Sequence, residues 1–209
     1  MSKNPKFKKV LAFEGEWEFG DNAGVLTDRT SGRTILETLK NLHGKETFDF
    51  IHRKTATREE LYYYLERCLG ETPDTGLEEY NVIMFSLHGN EGAISLPSAT
   101  KGERDELPLK MFGIELTYRF GQECLKGKVV YFSSCNVALD KGSIEDFKNQ
   151  TGASAVIAFT KAIDWVESAA FELILFDWLK EYKQPAAVKK RMELEYPKFS
   201  DRLGMYFLT

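Results

Sequence analysis

The chain has 209 residues, of which 43% are hydrophobic and 13% aromatic, and its formal net charge is -4 at pH 7. A chain of this length suits one domain with a sizeable core, so we expect a single domain over residues 1–209. The composition has no basic excess, which argues against a nucleic-acid partner.

Membrane and secretory segments are not predicted. No apolar run reaches the roughly 18 residues that a membrane helix requires. The first apolar stretch, "VLAF", is ended by Glu14 and Glu16 and is too short for a signal peptide. The three cysteines are widely spaced, which is typical of a reducing compartment, and they lack the spacing of a zinc site. We therefore expect a cytoplasmic protein without a metal, cofactor or membrane partner.

The first half of the chain alternates strand and helix patterns. Apolar residues recur at helical spacing in two segments, and the second segment opens with a capping box at Thr57. The run "YNVIMFSLHG" is continuously apolar, which is typical of a strand buried on both faces of a parallel sheet. The predicted elements are a strand over 7–17 that ends near Glu14, a helix over 33–44, a strand over 47–53, a helix over 57–70 and a strand over 80–89.

The second half of the chain continues the alternation after a charged segment. Residues 92–98 predict a small hairpin arm, and residues 100–108 predict an exposed loop. Ser143 is the predicted N-terminal cap of a helix over 142–152. The remaining predicted elements are a helix over 109–121, a strand over 127–135, a helix over 142–152, a strand over 153–163, helices over 165–182 and 184–196, and an edge strand over 202–209.

This order of elements predicts an α/β fold with a mostly parallel sheet of about five to six strands and helices on both faces. We expect the strand over 80–89 to lie beside the strand over 7–17, with the strand over 47–53 on the far side of that first strand. In such sheets, functional groups lie beyond the carboxyl ends of the strands. The residues that follow the core strands are therefore the first candidates for a site.

Two reactive side chains follow successive core strands directly. His88 lies in "FSLHGNEG" and Cys135 lies in "YFSSCNVA", each among small residues. An imidazole beside a thiol can take its proton and later pass that proton to a leaving amine. The backbone amides of Gly89 and Cys135 are candidates for an oxyanion site. Ser133 and Ser134 leave space beside the thiol.

Acidic residues at the same edge of the sheet are candidates for substrate binding. Glu14 and Glu16 end the first strand, and Asp164 follows the fifth; any of them can face a basic substrate side chain. Asp164 equally fits the cap of the long helix after it. His52, at the end of the second strand, is a competing base, although a surface-loop histidine is the simpler interpretation.

The chain resembles the caspase-like cysteine peptidases, the clan that includes caspases, metacaspases, clostripain-like enzymes and CHAT-type peptidases. The resemblance rests on "VIMFSLHGNEG", on "KVVYFSSCNVA" and on the strand and long helix of "FTKAIDWVESAAFELILFDWL". The separation of His88 from Cys135 is close to the roughly 50 residues found in caspases. What this resemblance implies is a caspase-like three-layer sandwich and a metal-free endopeptidase acting on proteins or peptides. His88 would be its general base, Cys135 its nucleophile, and the Gly89 and Cys135 amides its oxyanion site.

Cleavage specificity does not carry over from one branch of that clan. The acid that metacaspases place two residues before the cysteine is Ser133 in this chain, which we include among the substrate-binding candidates. Acids at the sheet edge favour cleavage after a basic residue.

Two other interpretations of the sequence stay open. One is a catalytically weak or inactive regulatory module with the same fold, and the other is an unrelated flavodoxin-like binding domain. The reactivity of Cys135 separates them from an enzyme, because only an enzyme requires one thiol that reacts fast and depends on His88.

Overall fold

The computed structural model describes residues 7–17, 31–97 and 103–209, and these residues form nine strands and seven helices. The strands are β1 (Lys9–Glu14), β2 (Asp49–Lys54), β3 (Val82–Ser86), β4 (His88–Asn90), β5 (Ala93–Pro97), β6 (Arg104–Pro108), β7 (Val129–Phe132), β8 (Ala155–Phe159) and β9 (Met205–Leu208). The helices are α1 (Arg33–His43), α2 (Arg58–Leu69), α3 (Leu109–Phe120), α4 (Lys141–Thr151), α5 (Trp165–Glu181), α6 (Pro185–Glu195) and α7 (Pro197–Leu203).

Six of the strands build the main sheet in the order β2-β1-β3-β7-β8-β9. All neighbours in this sheet are parallel except β8 and β9, which are antiparallel. The three central strands β3, β7 and β8 are buried along their whole length, as their apolar sequences require between two layers of helices. The predicted α/β fold, the neighbours of β3 and the edge strand at the C-terminus are confirmed, and the structure adds that this edge strand, β9, is antiparallel.

Successive residues of the central strands face opposite layers of helices. Ile83 and Phe85 of β3 pack in a core with residues of α2, α3 and α4, whereas Val82 and Met84 pack with residues of α1, α5 and α6. The molecule is therefore a three-layer α/β sandwich. None of the helices within the described ranges is long and apolar enough to cross a membrane.

A second, smaller sheet corrects the prediction of an exposed loop over 100–108. β4, β5 and β6 form an antiparallel sheet, so residues 104–108 are a strand; residues 98–102 lie outside the described part of the chain. The prediction failed because only Leu107 marks the buried side of this charged strand, and its partner β5 supplies most of the apolar face. Arg58 of α2 pairs with Asp105, which fixes β6 against the helical layer.

Two helices also differ from the prediction, one in its cap and one in its presence. α4 is capped by Asp140, whose carboxylate accepts a hydrogen bond from the Ser143 amide, so Ser143 itself is not the cap. α7 was not predicted, because it is short and begins at Pro197 directly after α6. Proline suits the first turn of a helix, where its missing N–H costs no hydrogen bond.

The aromatic cluster around Phe85 generates a stability prediction. Its ring lies 5.8 Å from that of Phe13, 5.3 Å from Phe112 and 5.4 Å from Phe132, measured between centroids. We expect Phe85→Ala to lower the free energy of unfolding by about 3–5 kcal/mol, because it leaves a cavity among these rings.

Urea denaturation measures this loss. The matched control is Tyr118→Ala, since Tyr118 is 91% exposed on α3 and its truncation should change stability by less than about 0.5 kcal/mol. Equal effects of the two substitutions would contradict the assignment of Phe85 to the core.

Candidate active site

A cavity of about 380 Å³ opens beyond the carboxyl ends of β3 and β7, and both His88 and Cys135 line it. Trp17, Ile163 and Trp165 form apolar walls, and Ser133, Ser134 and Ser168 contribute hydroxyl groups. Asp164 also lines this cavity. The two reactive residues predicted from the sequence therefore share one cavity at the predicted edge of the sheet.

One hydrogen bond selects the tautomer of a neutral His88 ring. Its Nε2 lies 2.9 Å from the backbone carbonyl oxygen of Trp17. A carbonyl can only accept, so Nε2 carries the proton and Nδ1 is the ring nitrogen with basic character. The Trp17 indole also packs edge-on against the imidazole, with 5.2 Å between ring centroids.

Trp17 is held in turn by Glu14, which corrects the predicted role of that carboxylate. Glu14 is 0% exposed, and it accepts hydrogen bonds from Trp17 Nε1 at 2.8 Å and from Ser31 Oγ at 2.8 Å. It also pairs with His52. Burial alone would raise the pKa of Glu14, but the hydrogen bonds from His52, Ser31 and Trp17 outweigh it and lower that pKa. These contacts do not fit a group that faces a substrate; Glu14 positions Trp17.

The other predicted polar candidates have separate positions. His52 lies within β2 and pairs with Glu14, so it is neither a surface-loop histidine nor a base beside the thiol. Glu16 is half-buried and is not among the described residues that line the cavity. Asp164 is both a cavity residue and the cap of α5, where its Oδ1 accepts hydrogen bonds from the amides of Val166 and Glu167.

The Cys135 thiol is half-buried and lies against the backbone of Ile163. The Ile163 N–H donates to Sγ at 3.4 Å, and Sγ lies 4.0 Å from the Ile163 carbonyl oxygen, to which the thiol donates. The chain turns sharply after the cysteine, because Asn136 adopts the left-handed conformation with φ of 58° and donates its amide to the Lys161 carbonyl at 3.0 Å. Asparagine is one of the few non-glycine residues that adopt this conformation routinely.

Gly89 allows the two halves of the site to approach each other. A Cβ atom at this position would lie 2.5 Å from the Cys135 carbonyl oxygen and 2.5 Å from a methyl group of Val137. The next turn is tied to the same segment, because the Gly92 amide donates to the Val137 carbonyl at 3.1 Å. The backbone after His88 is therefore packed directly on the backbone at Cys135, where the predicted oxyanion amides are.

Glu172 is a buried acid next to the cavity that the sequence did not single out. It lies on α5, 1% exposed, and its Oε1 accepts hydrogen bonds from Ser133 Oγ at 2.6 Å and from the Tyr131 hydroxyl at 3.0 Å. Its Oε2 has no hydrogen-bond partner within the described residues. Burial raises the pKa of Glu172 to about 7. The sequence feature that could have indicated a buried acid is the lone Glu in the apolar run "AAFELILF", which lies one helical turn after Ser168.

The sequence places this chain in a known family. A family profile, described as a family of unknown function (DUF6642), matches residues 23–207. The chain belongs to this family. The matched stretch contains His88, Cys135 and Glu172. No curated protein matches the chain at a significant level.

The described residues of this chain do not form a cluster of metal ligands. No cluster of three or more His, Cys, Asp or Glu side chains that could hold a metal ion occurs among residues 7–17, 31–97 and 103–209. What the cavity offers is a thiol, an imidazole and a group of hydroxyls. This set suits nucleophilic catalysis by Cys135.

The close approach at Gly89 gives a prediction for the site. We expect Gly89→Ala to push β4 away from Cys135 and to slow alkylation of Cys135 at pH 7 by about ten-fold or more, because a small displacement separates base from nucleophile. Iodoacetamide labelling with peptide mass mapping measures the rate.

The control for this substitution is Gly142→Ala in the first turn of α4. A Cβ atom there meets only an Asp140 carboxylate oxygen at 3.3 Å, and Gly142 is outside the cavity lining among the described residues. This variant should keep the labelling rate of the unaltered protein. An unchanged rate in Gly89→Ala would show that the contact does not set the geometry of the site.

The raised pKa of Glu172 predicts a dependence of stability on pH. Its carboxyl group titrates near pH 7 when folded and near its ordinary value of 4.5 when unfolded, so the folded state is progressively disfavoured as pH rises from about 4.5 to 7. The loss is about 3 kcal/mol. Glu172→Gln should match the unaltered protein at pH 5 and exceed its free energy of unfolding at pH 8.

Denaturant titrations at several pH values test this difference. Glu193→Gln on the exposed side of α6 is the control and should follow the unaltered protein throughout. Parallel pH profiles of Glu172→Gln and the unaltered protein would contradict the assigned titration.

Proposed function

We propose that this protein is a cysteine hydrolase that cleaves peptide bonds with His88 and Cys135. The observation that carries the proposal is the hydrogen bond from His88 Nε2 to the Trp17 carbonyl, within a cavity shared with the Cys135 thiol. This bond leaves the proton-accepting role to Nδ1. The resemblance to caspase-like cysteine peptidases supports the same assignment, with a protein or peptide as the substrate.

The proposed reaction begins with proton transfer from the Cys135 thiol to His88 Nδ1. The thiolate attacks the carbonyl carbon of the scissile bond, and a C–S bond forms while the carbonyl π electrons move to oxygen. Collapse of this tetrahedral species breaks the C–N bond, and His88 returns the proton to the leaving amine. Water, deprotonated by His88, then hydrolyses the thioester and releases the acid and the thiol.

The amides of Gly89 and Cys135 are the proposed donors to the developing oxyanion. Support comes from the packing of the Gly89 backbone on the Cys135 carbonyl, which brings the two peptide segments together. Preorganised backbone donors of this kind stabilise the charge of the tetrahedral species without reorganisation.

A reducing compartment such as the cytoplasm suits this chemistry. All three cysteines are unpaired in the structure, and Cys135 must stay reduced to act as a nucleophile. Burial raises the pKa of Cys68 and of Cys124 to about 11, so these two thiols stay protonated at neutral pH. They provide slow internal references for the reactivity of Cys135.

Competitive alkylation at pH 7 tests the dyad. We expect Cys135 to react at least about ten-fold faster with iodoacetamide than Cys68 and Cys124, because its thiol lines the same cavity as the His88 imidazole. His88→Ala should remove this advantage. His43→Ala is the matched control, since His43 lies at the end of α1 in contact with Asp177 and does not line the cavity.

A fluorogenic peptide panel then tests the hydrolase itself. Cys135→Ala should abolish cleavage, and His88→Ala should lower kcat by about 10²- to 10⁴-fold. Three equally slow thiols, or cleavage that survives in Cys135→Ala, would contradict the proposed function.

A further inference from the structure

The cavity beside Cys135 presents hydrogen-bond acceptors. A serine hydroxyl has one proton to donate, and each of the three cavity serines donates that proton to a group of the protein itself. Their oxygen lone pairs are then the atoms that a bound group can use. The three bonds run from Ser133 to Glu172 at 2.6 Å, from Ser134 to the Phe85 carbonyl at 3.5 Å and from Ser168 to the Trp165 carbonyl at 3.0 Å.

The charges around the cavity are acidic. Glu172 lies directly behind Ser133, and Asp164 lines the cavity where α5 begins. Neither lysine nor arginine is among the described residues of the lining. The site therefore combines acceptor atoms with negative charge, which suits a cationic group that only donates hydrogen bonds.

Glu172 and Glu14 are both buried acids of this region, but they differ in how fully their carboxyl oxygens are hydrogen-bonded. The carboxylate of Glu14 is paired with His52 and bonded to Trp17 and Ser31, whereas Oε2 of Glu172 is buried and has no hydrogen-bond partner in the part of the chain that the structure describes. An ionised buried carboxylate is costly unless a cation compensates it. A cation bound at Ser133 would supply that compensation.

The walls of the cavity suit the stem of a long basic side chain. The rings of Trp17 and Trp165 lie 5.1 Å apart, between centroids, and both line the cavity. Indole rings attract cations through their faces and pack well on methylene groups. A small polar ligand would leave these surfaces uncovered.

We propose that this cavity binds the substrate residue that precedes the cleaved bond, and that it selects arginine or lysine through Ser133 and the buried Glu172 behind it. The position relative to the cleaved bond rests on the proposed function, because it assumes attack by Cys135. Binding of the cation does not require catalysis. Glu172 acts here as a specificity-determining residue.

Protection of Cys135 from iodoacetamide tests this pocket with n-butylguanidine as the cation and n-butylurea as its neutral isostere. Each variant's rate with ligand is divided by its own rate without ligand, so changes in intrinsic reactivity cancel. In the unaltered protein, n-butylguanidine should protect at concentrations at least about ten-fold lower than n-butylurea. Glu172→Gln and Ser133→Ala should both lose this preference, and Glu193→Gln on α6 should keep it.

Thermal stabilisation by the same two ligands provides a readout that needs no reactive thiol. A slow Cys135 combined with stabilisation by n-butylguanidine that depends on Glu172 would overturn the hydrolase proposal and support the cation pocket. Equal effects of the two ligands, or full preference for n-butylguanidine in Glu172→Gln, would overturn the cation pocket whatever the reactivity of Cys135.

Discussion

The site depends on the hydrogen bond between His88 Nε2 and the Trp17 carbonyl oxygen. This bond fixes which ring nitrogen carries a proton and orients the imidazole at the edge of the sheet. The acceptor is a backbone atom, which any residue at position 17 would supply. The tryptophan side chain adds two further contacts, because its indole N–H donates to Glu14 and its ring packs against the imidazole. His88, the proposed base, therefore contacts the segment that follows β1 in addition to lying in its own strand β4.

Two buried carboxylates serve this edge of the sheet in different ways. Glu14 ends β1, where its partners His52, Ser31 and Trp17 satisfy it and keep it ionised. Glu172 lies on α5, and among the residues described one of its carboxyl oxygens has no hydrogen-bond partner. In our proposal, the first acid positions Trp17, and the second recognises a cationic side chain of the substrate.

The sequence predicted the site residues best where each of them follows a single, continuously apolar strand. β3 and β7 are continuously apolar and stop at small residues, so the neighbouring positions of His88 and Cys135 followed from the order of elements. The pairing of Glu14 with His52 depends on the register of β1 against β2, which local patterns do not specify. Glu172 was missed because α5 is apolar on most of its faces, and its sequence does not show which side meets the cavity.

The tautomer of His88 tests the central claim most directly. Nitrogen NMR of protein labelled with ¹⁵N in its histidine rings distinguishes the two nitrogens, and only His43, His52 and His88 need to be assigned. For the neutral His88 ring, the account predicts a proton on Nε2 and none on Nδ1. A proton on Nδ1 would contradict it, because that nitrogen could not then accept the proton of Cys135.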